Sequence, residues 1–218
     1  MNDFSEEEMI GHLESHRSNA EPDGISRKGE IIIQMVRKRF SLPSLSKMEL
    51  PGVDLCGVDL SYVDLCGANL KKAILIGTLF SQGDIMDADL SGANLGGSNF
   101  FDADISKSNF SGANLAKVDF TEVKAGGARF SKADIGHGSI FMDAVLTDAD
   151  FSHANLKGAQ MANADITGAN LKGADLSTAE DLSCEQLRTA QIDSSTRLPT
   201  YMKIQWISDS EYECCIEE

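Results

Sequence analysis

The chain is poor in cysteine, tryptophan and proline, which limits the classes of protein it can belong to. Its 218 residues include five cysteines, one tryptophan and four prolines. A low and odd number of cysteines argues against the disulfide framework of small secreted proteins. Cys214 and Cys215, adjacent in an acidic tail, are therefore predicted to be free thiols with no metal or redox role.

Basic residues are also scarce. Lysine and arginine number 19 against 34 aspartates and glutamates, which gives a net charge of −15 and disfavours direct binding to nucleic acid. The mean hydropathy is −0.17, and no apolar run approaches the length that spans a membrane. Since the N-terminus opens with acids and not with a basic, apolar leader, we predict a cytoplasmic protein without a membrane segment.

No group of residues resembles an active site. Catalysis needs a nucleophile, a base and an orienting group that converge in a pocket, and the chain has no motif of this kind and no phosphate-binding loop. His12 and His16 are four residues apart on a predicted helix, but a third metal ligand is lacking. We predict that the protein is not an enzyme and has no catalytic residues, cofactor or metal.

A large apolar residue recurs at every fifth position through most of the chain. The series has 18 positions from residue 55 to residue 140, then one inserted residue, then 7 positions from 146 to 176. A period of five fits neither a helix nor a strand, so the chain must be treated as a repeat.

Each repeat has the form Ala-Asp/Asn-Leu-x-x. The small residue and the large one are two apart and point the same way, while the polar residue between them points the other way. Glycine fills the last position in ten units, for example Gly57, Gly92 and Gly158, where a left-handed backbone angle is easily adopted. The pattern predicts a coil of short flat sides with apolar groups inside.

Runs such as Ala-Asp-Leu-Ser-Gly-Ala-Asn-Leu at residues 88–95 and the similar run at 169–176 resemble the pentapeptide-repeat family. The resemblance covers about residues 46–180. It implies an all-β fold, a right-handed quadrilateral parallel β-helix with four repeats per coil. Some members of this family protect bacterial DNA gyrase from quinolones.

Four repeats per coil would stack residues about 20 apart, and the phenylalanines test this. We number the sides one to four by Leu55, Leu60, Leu65 and Leu70. Six inward phenylalanines then fall on sides two and four only: Phe80, Phe100 and Phe120 on side two, and Phe110, Phe130 and Phe151 on side four. Stacked levels about 4.8 Å apart would suit offset aromatic stacking, which supports a coil of 20 residues.

The two ends are expected to cap the coil. We predict an N-terminal helix from Ser5 and a linker within residues 1–30, a degenerate first coil at 31–50, the β-helix at 51–179, and a C-terminal capping helix with an acidic tail at 180–218. Ser5 with Glu8 and Ser183 with Gln186 form capping-box patterns. The segment after residue 199 is predicted to add an edge strand or a dimer contact, so the protein is a monomer or a homodimer through a terminal cap.

Charge is unevenly distributed over the sides. Side two has five acids and no base, side three has six acids and two bases, and side four is basic. The acids that we consider for partner binding are Asp64, Asp84, Asp104, Asp102, Asp119 and Glu122. Aspartate also forms local hydrogen bonds at bends, so the same residues are open to a purely structural interpretation.

Two functions follow as hypotheses. Phe101 and Phe141, with Met142, are predicted to lie outward on side two and to form an apolar patch of the kind that binds proteins. We predict a protein-binding scaffold whose partner the sequence does not name. The alternative, which the family resemblance implies, is an acidic mimic of DNA that binds DNA gyrase or a topoisomerase.

Overall fold

The structure, a computed structural model, describes residues 4–207 and 212–216. Its regular elements lie at the two ends: α1 (Glu6–Ser15), α2 (Pro22–Arg37), α3 (Cys184–Thr189) and the strands β1 (Met202–Trp206) and β2 (Tyr212–Ile216). Between α2 and α3 the chain winds into a parallel coil with four sides. None of the described helices is long and apolar enough to cross a membrane.

Parallel bridges join residues that are 20 positions apart along most of the coil. Asp54 pairs with Ile74, and Ile74 pairs with Asn94 on the next level. The Leu55 N–H donates to the Ile74 carbonyl at 2.9 Å, and the Ile74 N–H donates to the Val53 carbonyl at 2.8 Å. The predicted 20-residue level is confirmed, and each side of a level is a three-residue strand with its central side chain outside and the two flanking side chains inside.

Phenylalanines fill the interior of the coil in two columns that face each other. Phe80, Phe100 and Phe120 are fully buried, and their rings stack with centroids 4.7 Å and 5.2 Å apart. Edge-to-face contacts join the columns, as between Phe100 and Phe110 at 5.9 Å. This packing confirms the predicted vertical arrangement, since the stacked rings are 20 residues apart, or 21 where the inserted residue lies between them.

The predicted position of Phe141 is wrong. Residues 136–138 form a turn with one residue more than the other corners, so the insertion comes before Ile140 and not after it. Phe141 is therefore fully buried and stacks on Phe120 at 5.0 Å. Ile140 takes the outward bridge position and pairs with Asp119. With Phe141 inside, the aromatic column gains another stacked ring, which stabilises the core more than Ile140 would at the same inward position.

The helix α2 replaces the predicted linker before residue 30 and the first part of the predicted coil at 31–50. The end of that predicted coil does belong to the coil, since the N–H groups of Leu45 and Leu50 donate to carbonyls one level above at 2.8 Å. Ile25, Ile32 and Met35 are buried on one face of α2 and cover the first level of the coil. These residues recur with helical spacing, whereas Met35 matched the five-residue period only by coincidence. The ladder of bridges begins at Glu49.

A buried lysine fixes α2 to the coil. Lys28 is 2% exposed, and its ammonium group donates to the carbonyl of Asn19 at 2.7 Å and to the carbonyl of Glu49. Burial lowers the pKa of Lys28, and the charge of Glu49 opposes that shift. The charge is compensated by one carbonyl oxygen between α1 and α2 and by another at the start of the coil.

The opposite end is covered by α3. The Ser183 hydroxyl accepts from the Gln186 N–H at 3.1 Å, and the Gln186 side chain accepts from the Ser183 N–H at 2.8 Å. The Gln186 amide also donates to the carbonyls of Met161 and Ala164. Leu187 is fully buried, so α3 closes the last level with both polar and apolar contacts.

Antiparallel pairing of β1 with β2 forms a hairpin next to α3. A disulfide joins Cys184 of α3 to Cys214 of β2, so the prediction that Cys214 is a free thiol is wrong. The hairpin brings the two cysteines together although 30 residues separate them, a proximity that spacing alone does not reveal. Cys56, Cys66 and Cys215 are free.

Candidate protein-binding surface

One corner of the coil carries a side chain on every level. We call this column the ridge: it follows side two and consists of Tyr62, Gln82, Asp102, Glu122, Asp143 and Asn163. All six residues have left-handed backbone angles, with φ between 52° and 63°. The fold demands this conformation at the second position of each corner, whichever residue stands there.

Glycine takes the equivalent position on at least half of the levels at each of the other three corners. Examples are Gly77 after side one, Gly127 after side three and Gly112 after side four, all with positive φ. A left-handed residue with a Cβ costs roughly 1–2 kcal/mol, and only Asn and Asp offset part of it by local hydrogen bonds. Tyr62, Gln82 and Glu122 have no such compensation, and neither have Lys72, Lys132 and His153 on side four. What distinguishes the ridge is that none of its levels has glycine at this position.

Exposed apolar side chains lie beside the ridge. Phe101 is 38% exposed and Met142 is 40% exposed; both hold the first corner position of side two, two levels apart. Leu79, on the same side, is 40% exposed. The structure thus places Phe101 and Met142 on the predicted surface and removes Phe141 from it.

The acids at the bridge positions support the repeat itself. Asp64, Asp104 and Asp119 each accept a hydrogen bond from the backbone N–H two residues later, at 2.9–3.1 Å. The Ser44 hydroxyl, more than any other neighbour, lowers the pKa of Asp64. These three carboxylates therefore have a structural role, with one oxygen occupied by the turn.

Asp64, Asp84 and Asp104 form a column of directly bridged neighbours on side three. The column continues with Lys124 and then Val145, so the uninterrupted acidic part is three levels long. Among the described residues, no group of three or more His, Cys, Asp or Glu side chains could hold a metal ion. The stack is an acidic surface on side three.

The ridge acids do not close backbone turns. Asp102 accepts from the Gln82 amide at 3.1 Å, and Asp143 accepts from the Asn163 amide at 3.0 Å, both along the ridge. Glu122 is exposed between them. Side two has no base of its own, while ion pairs such as Lys71–Asp89 at 3.2 Å lie on side four. The ridge is thus an acidic line without compensating charge on its side.

Sequence reasoning missed Tyr62, Gln82, Asp143 and Asn163 as surface residues of interest. Tyr62 is 76% exposed and lines a cavity of about 500 Å³ between α2 and the first levels, together with Val36, Phe40 and Leu42. The signal was present in the sequence: from residue 62 onward, no glycine stands at the second corner position of side two.

Comparison with known proteins identifies the repeat. The family model described as pentapeptide repeats matches in 8 copies over residues 49–85, 67–100, 84–121, 98–135 and 139–179, which is more than half of the chain. This match supports the predicted right-handed quadrilateral β-helix. No curated protein sequence matches the chain.

Several solved structures share the repeat. A pentapeptide repeat protein from the thylakoid lumen of Arabidopsis thaliana, AT2G44920, is 34% identical over 47% of this chain and 70% of its own, with a TM-score of 0.45. HetL, involved in heterocyst differentiation in the cyanobacterium Nostoc, is 27% identical over 61% and 76%, with a TM-score of 0.30. QnrB1, a plasmid-mediated fluoroquinolone resistance protein, is 19% identical over 68% and 79%, with a TM-score of 0.38.

Proposed function

Because this chain belongs to the pentapeptide-repeat family, we propose that it is a non-catalytic scaffold that binds another protein through side two. Proteins of this family are generally scaffolds without catalytic activity. The side chains inside the coil are fully packed, so the outer faces and the caps are the parts of the molecule available to a partner.

The observation that carries the proposal is the ridge. Six successive levels keep a side chain in a backbone conformation that glycine would adopt with less strain. The same side exposes Phe101 and Met142, and partly exposed aromatic and methionine side chains are enriched in protein interfaces. A binding surface explains why strain and apolar exposure coincide on one side.

The proposal is tested by replacing ridge residues with glycine. The variant Tyr62→Gly, Glu122→Gly and Asp143→Gly keeps the turn conformation and relieves its strain, so we expect a free energy of unfolding no lower than that of the original protein. Proteins captured from a native lysate and quantified by mass spectrometry should be lost with this variant.

A matched control replaces three left-handed residues on side four. The variant Lys72→Gly, Lys132→Gly and His153→Gly changes the same type of position and should leave the captured proteins unchanged. Equal capture by the ridge variant and the original protein would overturn the proposal.

DNA mimicry is the second candidate, and the bridged stack of Asp64, Asp84 and Asp104 favours it. Together with side two it forms an acidic surface that could occupy a basic DNA-binding saddle, with steering that weakens in salt. Lys124 interrupts the stack, which is why this function ranks second. Inhibition of DNA gyrase in a supercoiling assay, abolished by Asp84→Lys with Asp104→Lys, is the expected result, and no inhibition at micromolar protein would exclude it.

The cytoplasmic location and the oligomeric state stay predictions. Disulfides such as Cys184–Cys214 persist mainly in oxidising compartments, so cell fractionation is the direct test of location. Light scattering after size exclusion distinguishes a monomer from a homodimer through the terminal caps.

A further inference from the structure

The corner after side two presents two exposed apolar side chains next to a line of acids. Phe101 is followed directly by the ridge acid Asp102, and Met142 by Asp143, with Glu122 on the level between them. Apolar side chains in this setting select an occupant by the charge beside them. Here that charge is negative and side two has no base.

We propose that side two binds a basic amphipathic α-helix, which lies along the axis of the coil. This inference rests on the proposed function and names the partner's chemistry. Lysine or arginine side chains on one face of the helix pair with the ridge acids, and apolar side chains on the adjoining face cover Phe101 and Met142.

The spacing of the levels favours a helix over an extended peptide. Successive levels are about 4.8 Å apart, so the three ridge acids span about 10 Å. Helical residues at i, i+3 or i+4, and i+7 advance about 5 Å per step and about 10.5 Å in all. In an extended strand, residues on one face repeat every 6.7 Å or so, and the third would miss the third acid by about 4 Å.

The backbone of side two also argues against strand addition. The N–H of Phe100 donates to the carbonyl of Asp119 at 2.7 Å, and the N–H of Asp119 donates to the carbonyl of Ser98 at 3.1 Å. Backbone groups along the side are thus paired with the levels above and below. A partner on this side meets side chains and not a free sheet edge, which an added strand would need.

The probe is a synthetic peptide of about 18 residues, long enough for five helical turns. It carries lysines spaced three and four apart on one face, leucines on the adjoining face and alanines elsewhere. Its affinity for the full chain is measured by fluorescence anisotropy at low salt and at high salt. A peptide of the same composition, scrambled so that lysine and leucine surround the helix, is the composition control.

Two double variants separate the site from overall charge. Glu122→Gly with Asp143→Gly removes two acids from the ridge, and Asp87→Gly with Asp148→Gly removes two acids from left-handed corners on side three. We expect the ridge variant to bind the peptide about tenfold more weakly and the side-three variant to bind like the original protein. Phe101→Ser should also weaken binding, and the scrambled peptide should bind less well to the original protein.

Equal weakening by the two double variants, or equal binding of the two peptides, would overturn the inference, because attraction would then be unspecific. If the inference fails while lysate capture still depends on the ridge, the proposed scaffold function stands and its partner is not a basic helix. If capture is also independent of the ridge, both fall.

Discussion

At the scale of single residues, position within the repeat decides what a side chain does. Phe100 and Phe101 are neighbours in sequence, yet Phe100 is fully buried in an aromatic column and Phe101 is 38% exposed. Asp119 closes a turn through the Thr121 N–H at 2.9 Å, whereas Asp143 projects from a corner. Residue type alone therefore does not indicate which acids or aromatics are free to bind a partner.

Phe120 is the central ring of its column, and its loss should destabilise the coil. It stacks on Phe100 at 5.2 Å and on Phe141 at 5.0 Å, so Phe120→Ala leaves a cavity between two rings. We expect a loss of about 3–5 kcal/mol in the free energy of unfolding, measured by urea denaturation. Phe101→Ala, at a partly exposed position, should lose less than about 1 kcal/mol. Similar losses for the two variants would contradict the placement of Phe120 inside the coil and of Phe101 at its surface.

The core could be predicted from sequence because each level repeats the same chemistry. Phe80, Phe100 and Phe120 are 20 residues apart, and their column follows from that interval alone. Phe141 could not be placed in this way, since the sequence shows that one residue is inserted but not which corner absorbs it. The structure puts the extra residue in the turn at 136–138, where a wider loop disturbs no inward side chain.

Asp175 should give the protein an acid-sensitive contribution to stability. Burial raises the pKa of Asp175, but the hydroxyl and N–H of Ser177, together with Lys157, outweigh it and bring the pKa to about 2, below the ordinary 3.8. A lowered pKa in the folded state stabilises the protein above pH 4 or so, and this contribution disappears as the pH falls toward 2.

The measurement compares the original protein with Asp175→Asn by urea denaturation between pH 5 and pH 2. The variant should be less stable by about 1–2 kcal/mol at pH 5, and the difference should vanish near pH 2. A difference independent of pH would show that the ionised carboxylate is not the source. Asp193→Asn, at the C-terminal end, is not a matched control because its own pKa is lowered as well.

At the scale of elements, the caps were less predictable than the coil. The local signals for helix ends were readable, as at Ser183 with Gln186, because capping depends on residues three apart. The helix α2 and the Cys184–Cys214 bond depend on contacts between distant segments. The ridge is intermediate: its sequence signal is a missing glycine, which acquires meaning only once the left-handed angles are known.

Reduction of the Cys184–Cys214 disulfide should release the hairpin and leave the coil intact. A two-stranded hairpin is marginally stable alone, and closing a 30-residue segment stabilises it by roughly 3 kcal/mol. The remaining ties are weaker, for example the Tyr212 hydroxyl to the Leu187 carbonyl at 2.7 Å. We expect Cys184→Ser to increase hydrogen exchange in β1 and β2 about a hundredfold and not in the coil.

Cys215→Ser is the matched control for the hairpin. Cys215 is exposed and free, so its replacement removes a neighbouring thiol and keeps the disulfide. Exchange in β1 and β2 should then equal that of the original protein. If Cys184→Ser also leaves hydrogen exchange in β1 and β2 unchanged, the hairpin is held by its other contacts and the disulfide does not contribute to its stability.

At the scale of the whole molecule, a solenoid is stabilised by contacts between adjacent levels only. Each side chain column, the ridge included, therefore exists only as long as successive levels stay in register. Side two and side four differ in charge because that register is kept from Leu55 to Leu176. A change in register should consequently lower both stability and partner binding, even though no individual side chain is replaced.

Deleting a complete level should preserve the alignment of the side chain columns, whereas deleting a quarter of one should not. Removal of residues 91–110 joins Leu90 to Ser111 and keeps every later residue on its own side, so we expect a shorter rod, by about 5 Å, that still unfolds cooperatively. Removal of residues 91–95 alone turns all later residues by one side together, so the stack of Phe80 on Phe100 is lost while the later rings stay stacked on one another. We expect this smaller deletion to cost about 1 kcal/mol in urea denaturation for the lost ring pair and to weaken partner binding, because the later ridge residues no longer continue the column of Tyr62 and Gln82. If the five-residue deletion is as stable as the original protein and binds equally well, the register between levels contributes to neither property.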